Sequence, residues 1–242
     1  MKTNQVHFIL QGKGGVGKSL VAAMLAQYFR ARNGSVKPFD TDPVNDTLSQ
    51  YKGFATKRIN ILDEETNTID ARVFDSLMED LLSTDAVCVV DNGASTFVPL
   101  MAYLVENKAI DVLQQAGKEV FIHSVLTGGQ AFDDTLQGLS LMLESQAAPV
   151  VVWLNEFFGP VSRDGKTFSD SALYKDYQTR IRGVVRIEKG NADTFGKDME
   201  MLGKNKMTFE EALDSPLFGI MPRQRLKMVR EGIYGQLDQI GF

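Results

Sequence analysis

One cysteine, Cys88, stands in a chain of 242 residues, so no internal disulfide forms and no cluster ligated by several cysteines of one chain can be built. Only two histidines are present; His7 and His123 both sit in apolar segments without a metal-ligating neighbour and read as core residues. Positive charge is the minority, with 26 Lys and Arg against 31 Asp and Glu. The resulting net charge of −5 argues against binding nucleic acid with the whole surface and leaves room only for a local basic patch. No apolar run is long enough to cross a bilayer, and MKTNQVHFIL meets QGKGG too early for a signal peptide, so a cytoplasmic location is expected. Repeats, low-complexity tracts and linkers are lacking as well. Together with 43% hydrophobic residues, this predicts one domain over 1–242 with a sizeable core.

What is present is an alternation of short apolar runs and helical stripes. VHFILQ (6–11) reads as a buried strand that ends in a glycine turn. Val21, Leu25, Tyr28 and Phe29 follow at helical spacing until Asn33-Gly34 stops the helix. SVKPFDTD reads as a second strand, where Pro38 predicts an edge position or a bulge. INIL (59–62) is a further expected strand, and Val73, Leu77 and Leu81 mark the next helix. AVCVVDNG (86–93) is a buried strand, in which Cys88 packs. Ser95 is the expected cap of a helix through Leu100, Leu104 and Val105, with Pro99 in its tolerant first turn. EVFIHSVLT, a helix after Gly128-Gly129, and PVVVWLNEF (149–157), where Trp153 packs, complete the pattern. Such alternation predicts an α/β fold, a mostly parallel sheet with helices on both faces.

The pattern weakens near 158–190, which reads as a small insertion whose VSRDGKTF turns at Asp164-Gly165. Its aromatics Phe157, Phe158, Phe168, Tyr174 and Tyr177, with Arg163 and Lys166, suit either a partner contact or a small satellite core. The tail carries apolar residues at 226, 229, 233, 237 and 240, a helix of about 222–240. Arg223, Arg225, Lys227 and Arg230 beside that stripe offer a DNA or membrane contact. Five apolar positions and two internal glycines, Gly232 and Gly235, favour packing on its own domain instead.

Gly12 to Ser19 matches G-x-x-x-x-G-K-[ST] between a strand and a helix, the context that motif requires. Gly12, Gly14, Gly15 and Gly17, with Val16, let backbone N–H groups converge on a phosphate at a helix N-terminus. Lys18 supplies charge to the β and γ phosphates, and the Ser19 hydroxyl is a ligand for Mg²⁺. Magnesium also needs a carboxylate, and Asp91, ending an apolar strand, is the candidate, acting through a water. Asp40 and Asp42 end another strand: Asp42 to orient an attacking water and Asp40 in the metal's outer shell, or both as turn caps before Pro43. Asn155 closes VVVWLN and reads either as an adenine-edge contact or as a turn former. The chemistry of Lys13 is open, since a solvent-facing lysine fits equally well.

At KGGVGKS the chain resembles the deviant Walker A ATPases of the MinD/ParA family, P-loop NTPases. That resemblance implies an ATP-bound homodimer with Lys13 reaching the partner's phosphates. It supports Asp42 and Asp40 of DTDPVN in their water and metal roles, and Asn155 on adenine. DNGAS departs from the family, which usually has a proline two residues after the Walker B aspartate; Gly93 can still offer its N–H to a γ-phosphate. LQGKGGVGKS, DTDPVN, DNGASTFVPL, TGGQA, VVWLN and RQRLK together are similar to the TraL-type conjugal transfer proteins of bacterial plasmids. This implies work with plasmid transfer proteins, with recruitment to the inner membrane or the transfer complex. The expected function is a slow or partner-stimulated ATP hydrolase acting as a dimer switch. The alternatives are a non-hydrolysing ATP-gated scaffold or a small-molecule enzyme of the dethiobiotin-synthetase kind.

Overall fold

The computed structural model describes residues 4–61 and 72–242. In chain order the elements are β1 (Gln5–Ile9), α1 (Lys18–Asn33), β2 (Val36–Asp40), β3 (Lys57–Arg58), α2 (Val73–Ser83), β4 (Val87–Asp91), α3 (Phe97–Glu106) and α4 (Ala109–Gln115). Then come β5 (Glu119–Thr127), α5 (Phe132–Ser145), β6 (Val150–Asn155), β7 (Ser162–Arg163), β8 (Lys166–Thr167), α6 (Ala172–Tyr177), β9 (Ile181–Ile187), α7 (Lys197–Lys204), α8 (Phe209–Asp214) and α9 (Ile220–Ile240). Seven strands form one sheet in the order β3-β2-β4-β1-β5-β6-β9, each neighbouring pair parallel.

The strands are apolar almost throughout because both faces are covered, and the two-residue side-chain period divides them between two cores. Val6, Phe8, Cys88, Val90, Val150 and Val152 join the core that includes residues of α2, α3, α4 and α5. Ile9, Val87, Val89, Val151 and Trp153 face the opposite way, against α1, α7, α8 and α9. Gly34, at φ 77°, ends α1 by donating its N–H to the Arg30 carbonyl, the stop expected at Asn33-Gly34.

Pro38 lies in β2, one strand in from the edge rather than on it. Thr41 donates to Asp91 of β4, whereas Asp40 accepts from Ile59 on the other side. Residues of even number in β2 thus face away from β4, and β3 pairs only with Phe39 and Asp40. Pro38 therefore points its missing donor where no strand lies alongside, an edge for this one residue. The expected strand INIL is displaced: β3 is Lys57–Arg58, while Ile59 and Ile61 are buried beyond its end. Leu62 lies outside the described residues. Exposed Lys57 and Arg58 are recruited by backbone pairing, which hydropathy does not register.

The stretch 158–190 divides into two parts. A hairpin β7–β8 turns at Asp164 and Gly165, both with positive φ (50° and 73°), followed by α6. β9 is instead an edge strand of the main sheet, so the expected insertion overran into the fold. Phe168, Tyr174 and Tyr177 pack into or against the first core, whereas Phe157 and Phe158 are exposed. α9 begins at Ile220 and buries Leu226, Ile233, Leu237 and Ile240 against its own chain. Among the described residues no helix is long and apolar enough to cross a membrane.

Candidate functional site

β1 lies between β4 and β5, and the chain leaves it for β2 on one side and reaches β5 on the other. A crevice outside the carboxyl ends of strands is expected at such a reversal. The Gly12–Ser19 segment opens there. Gly15 and Gly17 have φ of 75° and 103°, conformations that side chains resist. The turn delivers the chain to the N-terminus of α1, a 16-residue helix whose first amides have no intrahelical acceptor. The loop is braced from several directions. Asn155 donates from Nδ2 to the Val16 carbonyl at 2.9 Å, and its Oδ1 accepts from Phe157 N at 3.2 Å. Gln11 donates to the Val125 and Thr135 carbonyls at 3.1 and 2.9 Å, and the Phe97 ring lies against Gly12.

Lys18 is buried, 8% exposed, and folds back across the loop to donate to the Lys13 carbonyl at 2.9 Å. Burial lowers its pKa, opposed by the carboxylates of Asp91 and Asp42. Lys13 leaves the loop the other way and pairs with Asp134, in the first turn of α5, at 2.7 Å. Both side chains of that pair are about half exposed. Asp133, next along α5, holds Arg163 of the hairpin at 2.7 Å.

Three carboxylates meet the loop from β2 and β4, and each is differently placed. Asp91 is 1% exposed, and the hydroxyl beside its carboxylate is that of Ser19. Burial pushes its pKa up to about 7; Asp40 and Asp42 add to the rise, while the neighbouring Ser19 hydroxyl and Lys18 oppose it. A buried carboxylate beside a serine hydroxyl is a hard-oxygen donor set suited to a divalent cation that keeps several waters. Among the described residues no three His, Cys, Asp or Glu gather to hold an ion.

Asp40 is committed elsewhere. Its Oδ1 accepts from Asp42 N at 3.1 Å, and its Oδ2 from Ser49 N and Oγ at 3.1 and 3.2 Å. It fastens the ends of the 41–49 loop. Asp42 Oδ1 accepts from Val44 N and Asn45 N at 2.9 and 3.0 Å, the turn-capping arrangement before and after Pro43. Both residues thus fill the turn-holding alternative, while remaining on the loop's side of the sheet.

Ser95 does not cap α3. The helix begins at Phe97, and the preceding residue, Thr96, directs its hydroxyl to Asn92 Oδ1 at 2.7 Å and the Gly93 carbonyl at 3.0 Å. Sequence reasoning passed over Thr41, Asn92, Thr96 and Asp134. Only the last carried a signal, an acidic first turn after a glycine pair. His7 and His123 are core residues, as expected. Trp153 Nε1 donates to His123 Nδ1 at 3.0 Å, and His123 Nε2 lies 2.9 Å from His7 Nδ1. Cys88 is buried, its thiol pushed up to about 12 by burial.

This loop, at the end of the strand where the sheet order reverses and with a buried aspartate beside it, defines the P-loop nucleotide-binding class. The model for the CobQ/CobB/MinD/ParA nucleotide binding domain matches residues 7–231. A protein called TraL from Escherichia coli is 41% identical over 236 residues, 97% of each chain. The chain belongs to the CobQ/CobB/MinD/ParA nucleotide-binding family and, within it, to the TraL proteins. Among solved structures, the MinD cell division protein of Aquifex aeolicus superposes with a TM-score of 0.52 at 14% identity, covering 96% of this chain and 97% of that one. A ParA family ATPase from Chlorobium tepidum TLS gives 0.51 at 14% identity, covering 95% and 98%. At that identity the likeness extends to the fold.

Proposed function

We propose that this protein binds Mg·ATP in the Gly12–Ser19 loop and uses it as a dimer switch in plasmid conjugal transfer, hydrolysing it slowly or on stimulation by a partner. The observation that carries the reading is Asp91: a fully buried carboxylate beside Ser19 and Lys18, at the mouth of a loop shaped for phosphate. A carboxylate buried this deeply holds its proton up to about pH 7, and a cation placed beside it favours the charged form.

In this reading the loop amides and Lys18 hold the phosphates. Ser19 and Asp91, the latter through water, hold Mg²⁺, which when bound offsets phosphate charge. Asn155 lies behind the loop, where its remaining amide capacity suits an adenine edge. Asp42 orients water with a carboxylate whose Oδ1 is also the cap for Val44 and Asn45, which keeps turnover slow and gives a partner something to accelerate. That same cap supports the second reading, an ATP-gated scaffold that does not hydrolyse. Lys13 must leave Asp134 to reach a second copy's phosphates.

Calorimetry and light scattering on the purified protein test this. Lys18→Ala is expected to abolish Mg·ATP binding. Lys13→Ala is expected to retain binding within about threefold and to lose ATP-dependent dimerisation and turnover. Equal loss of nucleotide binding in both would remove Lys13 from a cross-dimer role, and absence of binding by the unaltered protein overturns the reading.

A further inference from the structure

Asn92 lies between the two segments that border the loop, and its side chain is the hub of a buried network. Thr41, on the 40–45 segment, sends its hydroxyl toward Asn92 Oδ1 at 3.2 Å and the Asp91 carbonyl at 3.1 Å. Thr96, at the threshold of α3, reaches the same Asn92 oxygen at 2.7 Å and the Gly93 carbonyl at 3.0 Å. Asn92 Nδ2 closes the figure on the Gly93 carbonyl at 3.0 Å. Each threonine hydroxyl has one proton and two acceptors within reach, and Asn92 Oδ1 is the acceptor common to both. All three side chains are 0–1% exposed, so separating the segments leaves polar atoms without partners and without water.

Gly93 follows directly, and the Asp42 side chain occupies the space a Cβ there would need, 2.7 Å from Asp42 Cγ and 3.0 Å from Asp42 Cα. Glycine lends this turn no stiffness of its own. Asp42 is held within its own segment by Asp40, which accepts from the Asp42 N–H, and Thr41 ties that segment to Asn92, the residue before Gly93.

We propose that Asn92 is a positioning residue that welds the Asp40–Asn45 segment to the Gly93–Phe97 turn, so that the two move as one body and Asp42 keeps a fixed place against Gly93. This rests on the nucleotide-switch reading for its consequence in turnover, but not for the coupling itself. Asn92 is buried and acts through Thr41 and Thr96.

Two measurements on the full chain separate these. The first is amide hydrogen exchange of the ligand-free protein. Thr41→Val removes one hydroxyl from the 40–45 side and is expected to speed exchange roughly five- to tenfold at Gly93–Phe97 as well as at its own segment. Thr96→Val is expected to do the reverse across the same junction, and the double variant to add little to either. Acceleration confined to the mutated side overturns the weld, whatever the protein does with ATP. The second is steady-state kinetics. Asn92→Ala is expected to keep Mg·ADP and Mg·ATP affinities within about threefold while kcat falls about tenfold or more, with Asn92→Ser restoring part of it. Loss of both nucleotide affinities with unchanged kcat would make Asn92 a purely structural residue and overturn the proposal. Failure of unaltered protein to bind Mg·ATP would defeat the nucleotide reading and leave the exchange result to decide the coupling.

Discussion

Burial acts on Asp91 and on the histidine pair with opposite signs. Asp91 is pushed up to about 7, so the folded protein retains a proton that the unfolded chain releases near pH 4, and this residue's contribution to stability declines as pH rises through that window. His123 is pushed down from 6.5 to about 3, and His7 falls well below its ordinary value, desolvation leading in both cases. Below pH 6.5 the unfolded chain takes up protons that the folded core refuses, so their contribution is present above 6.5 and is lost as pH falls toward 3. His123 therefore withdraws about 2 kcal/mol between pH 7 and pH 5, and His7 acts in the same direction. Urea denaturation at the two pH values tests this with His123→Gln, whose amide oxygen can still accept from Trp153. The variant is expected to lose about 2 kcal/mol of the pH dependence relative to the unaltered protein. Parallel pH profiles would show that His123 is charged in the fold.

At the level of elements, the glycine loop is the part the sequence states most completely, because its requirements are local. Gly17 illustrates this: its φ of 103° excludes side chains, and a Cβ would meet Asn155 Nδ2 at 2.8 Å. Gly17→Ala is expected to cost about 1–2 kcal/mol of stability and to weaken Mg·ATP binding at least tenfold by displacing the Asn155–Val16 brace. Calorimetric binding unchanged from the parent would refute that coupling. The alternation of apolar runs likewise announced the parallel sheet, since strands buried on both faces need continuous hydrophobicity. Features set by long-range backbone pairing were not legible. Lys57–Arg58 becomes a strand because Asp40 turns its backbone groups away from β4; Ile59 adds one backbone hydrogen bond to Asp40 beyond the strand's end, and Ile61 packs in the core. Ser95 has the right chemistry for a cap, but the helix starts one residue later than such a cap would place it, with Thr96 held by Asn92. Asp40 and Asp42 were visible as carboxylates at a strand end. Their engagement with Ser49, Val44 and Asn45 depends on a loop path that spacing does not encode.

For the molecule as a whole, the proposed dimer switch needs something that keeps one copy from engaging another at rest. α9 lays its apolar stripe on its own chain, so that stripe is already spent in the fold. Lys13 is different: it is held at 2.7 Å by Asp134 of the same copy, in a pair about half exposed on each side. An exposed pair of this kind is worth about 0–1 kcal/mol, weak enough for a competing phosphate to break and strong enough to bias the resting state. If Lys13 serves a second copy's nucleotide, Asp134→Asn releases it in advance. The variant is then expected to dimerise with Mg·ATP at a concentration up to about fivefold lower than the parent, with unchanged affinity for the nucleotide in the monomer. Raising salt should narrow the difference, because the contact it removes is exposed and screened. Light scattering over a protein dilution series at two salt concentrations measures both effects. A variant that dimerises less readily than the parent would mean that Asp134 supports the dimer instead of holding Lys13 back from it.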